Sequence, residues 1–283
     1  MSLLESVTLI EHTKPLKSSN IPCDAYVLAI AAIPSYYAAS ASAPSHKIYL
    51  FDQSSLRTSQ SFQGHQGGTT SLRAIDSLAG VNKRVVISSG KDGVVRAWDD
   101  RTGAAAIEMK FEGKQKALLS CDVSSDGLTV AAGTELQQDD ALIVYWSHNL
   151  LLSGSTDGLV CVSDAEEPDE DEAVLHVGNL GSSISQAGWI PCRAARTGLW
   201  AATDMETFSL CPSVHTQART WITDYLIGCH PSEETGLSVL VGSNERVLLH
   251  FIIHSTLLTT LTLEVTLRCS GTQIFTTALR LGL

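Results

Sequence analysis

No long apolar run, no paired-cysteine motif and no basic cluster occurs in this sequence, and each absence removes a class of protein. The small-residue stretch VLAIAAIPSYYAASASAPS, residues 27–45, is broken by Pro34, two tyrosines and several serines, which makes it a poor membrane span. The opening MSLLESVTLIEHTKPLK has no basic start followed by a long apolar core, so it is a poor secretory signal. The seven cysteines (Cys23, Cys121, Cys161, Cys192, Cys211, Cys229, Cys269) are scattered, odd in number and never spaced C-x-x-C. That pattern argues against a secreted disulfide framework and against a zinc ribbon, and for reduced structural thiols. A soluble protein of the cytoplasm or nucleus is the expectation, with no membrane partner.

Positive charge is also scarce. Lys and Arg together number 19 against 30 Asp and Glu, for a formal net charge of -11, and charged residues make up only 17% of the chain. Duplex binding needs clustered Lys and Arg to displace counterions, so direct nucleic-acid binding is not expected. Much of the acidic excess sits in SDAEEPDEDEA, residues 163–173, with Asp164, Glu166, Glu167, Asp169, Glu170, Asp171 and Glu172. This run is a candidate surface for a basic partner protein. As a solvated loop between the last two strands of a sheet, its like charges would keep it extended.

What the chain does hold is 44% hydrophobic residues over 283 positions, with abundant Gly, Ser and Thr. That is enough for one large core built from many short strands and turns, with residues 1–20 a candidate extra N-terminal strand. VVISSGKDGVVRAWDDRTG (85–103) and LLLSGSTDGLVCVSDAEEP (150–168) are nearly the same phrase: an apolar run, a Ser-Gly patch, an Asp-Gly turn, and an alternating strand ending on an acid. Weaker copies lie in phase at YYAASASAPSHKIYLFD (36–52), TVAAGTELQQDDALIVYW (129–146), LWAATDMETFSLC (199–211) and VLVGSNERVLLHF (239–251). Each reads as a hairpin. Further strand-like segments such as AAAIEMKFEG and ALLSCDVSSDG lie between them, giving about four strands per period of about 40 to 45 residues. The predicted class is all-β, a β-propeller with six visible blades.

The stretch GHQGGTTSLRAIDSLAGVNKRVVISSGKDGVVRAWD, from Gly64-His65 to Trp98-Asp99, resembles a WD40 repeat. The resemblance implies a hydrogen-bonded structural tetrad at His65, Ser88, Asp92 and Trp98. The physical chemistry agrees: a buried imidazole needs an acceptor, a buried indole N–H needs a partner, and a satisfied network fixes strand register. Other copies keep less. Ser153 and Asp157 match in the fourth, but Ser163 stands where the Trp would be, and Trp146 closes the third without a following Asp. From about residue 40 to 245, the order of segments is similar to one particular member of this family.

One interval breaks the schedule. Taking Asp52, Asp99, Trp146, Asp164, Cys211 and Phe251 as the ends of the third strands, successive spacings are 47, 47, 18, 47 and 40 residues. ALIVYW then reads as a third strand and NLLLSGS as a second strand, with an outer and an inner strand lost between them. A missing exon or misplaced splice junction near Trp146 to Leu150 would explain the gap. The tail from Val247 carries only Glu264, Arg268 and Arg280 as charges and no Asp-Gly turn, as a read-through segment or a divergent last blade would. Restoring both would bring the count to seven, the number the resemblance implies.

Chemistry-bearing motifs are few. There is no P-loop, no G-x-G-x-x-G before a helix and no H-E-x-x-H, and GSTDG (154–158) only loosely resembles a nucleophile elbow, with Thr156 in a hairpin turn. No catalytic residue, metal ligand or cofactor is assigned, and the chain is not expected to be an enzyme. The resemblance implies a non-catalytic scaffold for protein–protein interactions. An alternative comes from Trp98-Asp99-Asp100-Arg101, which matches the W-D-x-R pattern of substrate receptors that dock on the adaptor of cullin-RING ubiquitin ligases. There Asp99 and Arg101 would meet the adaptor, the Arg101 guanidinium forking onto a carboxylate or carbonyls.

Overall fold

A computed structural model of the chain describes residues 17–79, 84–99, 104–110, 116–135, 142–147, 149–190, 198–211, 219–222, 225–232, 236–242, 247–253, 261–269 and 274–281, the last several segments chiefly as backbone. The strands fall into six antiparallel sheets. The first is β1 (Val27–Ile33), β2 (Tyr36–Ala41), β3 (Ile48–Asp52) and β4 (Thr58–Phe62), and the second β5 (Thr69–Ile75), β6 (Val85–Gly90), β7 (Val94–Trp98) and β8 (Ala105–Lys110). Among the described residues the third has only β9 (Leu118–Val123) and β10 (Val130–Thr134). The fourth runs β11 (Leu142–Ser147), β12 (Leu150–Ser155), β13 (Leu159–Asp164) and β14 (Val174–Asn179), with one helical turn, α1 (Glu170–Ala173), before β14. The fifth is β15 (Ile184–Ile190), β16 (Gly198–Thr203), β17 (Thr207–Cys211) and β18 (Arg219–Ile222). The sixth has five strands, β19 (Tyr225–Ser232), β20 (Gly236–Gly242), β21 (Val247–Ile253), β22 (Leu261–Cys269) and β23 (Ile274–Leu281). Every strand pairs with its predecessor in sequence within its sheet, the order that short hairpin connections dictate.

Alternation along the inner strands explains the packing. Val86 and Trp98 face one way and join Ala31, Ile33, Ala38, Ile48, Leu50 and Phe62 of the first sheet in one cluster. Ile87, Val95 and Ala97, one residue out of phase, face the other way and pack with Leu118, Cys121 and Val123 of the third sheet. A sheet buried on both faces must be apolar on both, which is why VVIS and VVRAW read as nearly continuous hydrophobic runs. Ile190, Trp200, Ala202, Phe208 and Leu210 of the fifth sheet form a similar cluster with Leu226, Leu237 and Val239 of the sixth. The chain divides into two compact units: residues 15–156 with 163–173, and residues 157–162 with everything from Val174 onward.

The broken interval is resolved differently from the strand roles expected of it. ALIVYW does not become a third strand beside β10. It forms β11, the first strand of the fourth sheet, in register with β12 from Leu142↔Ser155 to Ser147↔Leu150. The reason is the length of the link. Only residues 148 and 149 separate the two strands, and a two-residue connection permits nothing but a direct antiparallel hairpin. The third sheet is left with two strands. Side chains of β9 substitute for part of a ladder: Val144 N–H donates to Ser120 Oγ at 2.8 Å and Trp146 N–H to Asp122 Oδ2 at 2.8 Å.

Two other expectations meet the structure here. Of the candidate N-terminal strand at 1–20, residues 1–16 lie outside the described residues and 17–20 are not strand. The Leu/Thr-rich tail forms β22 and β23, which extend the sixth sheet in the registers Val247↔Cys269 and Leu261↔Leu281.

Candidate functional site

The most polar buried place in the described chain is the top of the second sheet. His65 is 2% exposed and Ser88 fully buried. The antiparallel register places Val86 opposite Trp98 and Ser88 opposite Arg96, so that Ser88, Arg96 and Trp98 share one face. The turn at Lys91–Gly93, closed by Gly93 N–H donating to the Gly90 carbonyl at 3.1 Å, carries Asp92 over the same face. His65 enters from the segment before β5.

Two glycines make that entry possible. A Cβ on Gly90 would stand 2.2 Å from His65 Cγ, so the imidazole lies directly against bare backbone. A Cβ on Gly64 would stand 2.0 Å from the His46 carbonyl oxygen. The Gly-His pairing therefore has a steric cause: the residue before the histidine must pass under the chain at His46.

The hydrogen bonds define the tautomer. Trp98 Nε1–H donates to Ser88 Oγ at 2.8 Å, and His65 Nε2 lies 2.7 Å from the same oxygen. Were Nε2 protonated, Ser88 would accept twice and its own buried proton would have no acceptor in this chain of contacts. With the proton on Nδ1, Ser88 O–H donates to Nε2 and Nδ1–H donates to Asp92 Oδ1 at 2.8 Å, so that Ser88, Trp98 and both imidazole nitrogens are paired. Asp92 Oδ2 accepts from Arg96 Nη1 at 2.7 Å and from Gln66 N–H at 3.2 Å. Arg96 Nη1 also approaches His65 Nδ1 to 2.7 Å, a contact that sets its positive charge beside the ring. Arg96 Nε donates to Glu108 Oε1 at 2.8 Å.

Electrostatics keep the imidazole neutral. Burial lowers the His65 pKa, and although Asp92 opposes that shift, Arg96 reinforces it. Burial by itself would raise Asp92, but hydrogen bonds from Arg96 and His65 and the Arg96 charge hold it below its ordinary value. Glu108 is lowered by its bond to Arg96. Trp98 closes the arrangement, stacking on Phe62 of the first sheet with centroids 5.3 Å apart and ring planes within 6°, and meeting His65 edge-on.

The structure thus brings His65, Ser88, Asp92 and Trp98 into one network and adds two residues that motif reasoning passed over, Arg96 and Gly90. The signal for Arg96 was a charge at an inward-facing position between Val94 and Trp98. Asp99 follows Trp98 and its N–H donates to the Ala104 carbonyl at 3.2 Å. Asp100 and Arg101 lie outside the described residues, and Trp98, at 4% exposure with its N–H bonded within the sheet, offers a docking partner nothing.

The acidic run lies between β13 and β14. Glu166, Glu167, Asp169, Asp171 and Glu172 are exposed, while the Glu170 side chain lies outside the description. The run is not wholly extended, as its like charges had suggested. Asp169 Oδ1 accepts the Asp171 N–H at 3.0 Å and the Asp169 carbonyl accepts the Ala173 N–H at 2.8 Å, which starts the single turn α1. Among the described residues no three His, Cys, Asp or Glu are grouped as a metal site, and no helix is long and apolar enough to cross a membrane.

Comparison with known proteins agrees with this geometry. The WD domain, G-beta repeat family matches residues 56–99, the span that holds the whole tetrad. The WD repeat-containing protein 89 homolog of Dictyostelium discoideum is 26% identical over 184 residues, 58% of this chain and 48% of that protein. The order of segments in this sequence is similar to that protein's. The WD repeat-containing protein GTS1 of Arabidopsis thaliana is 27% identical over 220 residues, 64% of this chain and 55% of that protein. The chain spans about half the length of these relatives. Among solved structures, the β-propeller domain of Cps50 (Swd1) from Myceliophteria thermophila superposes with a TM-score of 0.60 at 11% identity, covering 94% of this chain and 100% of that one. Residues 56–99 thus match a single WD repeat, the relatives of similar sequence are WD-repeat proteins, and the fold is that of a β-propeller.

Proposed function

We propose that this chain is a non-catalytic scaffold that holds other proteins together in the cytoplasm or nucleus. The observation that carries this is the use made of its chemistry-bearing residues. In the one sheet where His, Asp, Ser and Arg converge, each polar group is committed to another: His65 is neutral with both nitrogens bonded, and Asp92 has both oxygens occupied. A base so committed fixes strand register and has no lone pair to offer a substrate. What the sheets present outward is strand edge and loop, the surfaces through which β-sheet proteins take partners.

The test is native isolation of the full chain from its own cells, followed by cross-linking and mass spectrometry. A stoichiometric partner that stays bound through two orthogonal steps, and is lost when the second sheet is broken by Trp98→Ala, is the expected result. A chain that migrates alone in native extracts overturns the proposal.

A further inference from the structure

The last strand of an antiparallel sheet leaves a row of N–H and C=O groups without a ladder partner, and proteins ordinarily blunt such edges with charge, proline or a covering segment. Five sheets here have a fourth strand, and they treat that edge differently. In β4, TSQSF, the exposed positions are polar. In β8, AAIEMK, the strand carries Glu108 and ends on Lys110. β18 begins with Arg219. β22, LTLEVTLRC, carries Glu264 and Arg268 and is also covered: β23 pairs along it from Leu261↔Leu281 to Arg268↔Ile274 as a fifth strand.

β14, VLHVGN, is the exception. It has no Lys, Arg, Asp, Glu or Pro, and in the sheet order β11-β12-β13-β14 no strand follows it. Among the described residues no strand pairs with its outer edge, and Val174, Leu175 and Val177 are 45%, 48% and 52% exposed. Leu175 and Val177, two residues apart, stand on the same face. The strand inside it is firmly seated, with Val160 at 2% and Val162 at 0% exposure. The chain enters this edge directly from Asp164, Glu166, Glu167, Asp169, Glu170, Asp171 and Glu172, and no ion pair among the described residues engages them.

We propose that the outer edge of β14 is a strand-addition site for an extended segment of a partner protein in which apolar and basic residues alternate. The proposal rests on the scaffold role and names its docking surface. The partner backbone pairs with β14 as β23 pairs with β22, its apolar side chains cover Leu175 and Val177, and its Lys or Arg side chains reach the carboxylates that lead into the strand. A second copy of this chain is the wrong occupant. Two edges each fed by seven carboxylates, on chains of net charge -11, repel one another.

Fluorescence anisotropy of the full chain with a labelled peptide of alternating Lys and Val tests it, beside the same peptide with a central Pro and an alternating Glu and Val peptide. Saturable binding of the Lys-Val peptide is expected, weakening at least tenfold between low and high salt and at least tenfold with Val177→Lys. Neutralising Glu166, Glu167, Asp169, Asp171 and Glu172 to their amides should cost a similar factor and flatten the salt dependence. Leu175→Thr, which keeps strand propensity, gives a second measure should the lysine variant fail to fold, and circular dichroism checks each protein. Equal binding of the Pro-interrupted peptide, or indifference to both edge variants, overturns the proposal, since charge alone would then be responsible. So does failure of the Lys-Val peptide to bind, or assembly of the chain into dimers that Val177→Lys disperses. In those cases a stoichiometric cellular partner would still uphold the scaffold role, with its surface elsewhere.

Discussion

Trp98 and Trp146 end corresponding hairpin phrases in the sequence, yet they live in different circumstances. Trp98 closes β7 in a complete four-stranded sheet, stacks on Phe62 and donates its indole N–H to Ser88. Trp146 stands in β11, which the short link to β12 has moved into the next sheet, and its buried indole nitrogen has no hydrogen-bond partner among the described residues. In its own register Trp146 stands opposite Leu151 of β12, whose side chain offers no acceptor. A repeat keeps the volume of its aromatic more readily than the polar partner that orients it.

The largest effect should come from breaking the better of the two. Trp98→Ala removes a buried ring that the first two sheets share, and a loss of about 3–5 kcal/mol is expected. Urea unfolding followed by tryptophan fluorescence and circular dichroism measures it; a midpoint unchanged within error would mean the stack on Phe62 contributes nothing. Ser88→Ala comes next. It leaves the ring in place but deprives Trp98 Nε1–H and His65 Nε2 together, and a buried donor left unmet costs about 1–3 kcal/mol. If Ser88→Ala and Trp98→Ala were strictly additive in the double variant, the two would not belong to one network.

How much of this was legible beforehand follows from where the signals lie. The hairpin about Asp92 and Gly93 was legible because turn chemistry and strand alternation are local, while the tetrad of His65, Ser88, Asp92 and Trp98 was legible only through the resemblance to a WD40 repeat. Arg96 stands at an inward-facing position in VVRAW, but alternation alone does not name what a lone charge there would meet. It takes the register Ser88↔Arg96 to show that it shares the face of Trp98 and meets Asp92. Phe62 was invisible as a partner of Trp98, since the contact joins two sheets and no sequence spacing encodes it. The fate of ALIVYW was misjudged because its phrase matched a third strand, while a two-residue link, which is not a motif, decided its pairing.

Acid sharpens the comparison with a smaller effect. The folded pKa of His65 lies below its unfolded value of about 6.5. The unfolded chain therefore takes up that proton first, and stability falls as pH drops from about 6.5 toward the folded value. Asp92, also lowered, adds stability that is present above about 3.8 and is lost as pH falls through its folded value. Both losses lie on the acid side, His65 first. Unfolding midpoints between pH 8 and 5 should fall less steeply for His65→Gln than for the wild type, and parallel slopes would show that folding does not shift the imidazole's pKa.

Trp146→Phe is the smallest expected change and the most diagnostic one. The phenyl ring fills most of the indole's space, and the substitution deletes a buried N–H that has no acceptor among the described residues. Removing an unmet donor returns a desolvation cost of about 1–3 kcal/mol, set against a small cavity, so the net change should lie near zero or be stabilising. Trp98→Phe makes the same volume change but leaves Ser88 Oγ without its donor, and should be destabilising by about 1 kcal/mol or more. If the two substitutions cost the same, the indole nitrogen matters at neither site, and what separates the intact sheet from the shortened one is packing alone.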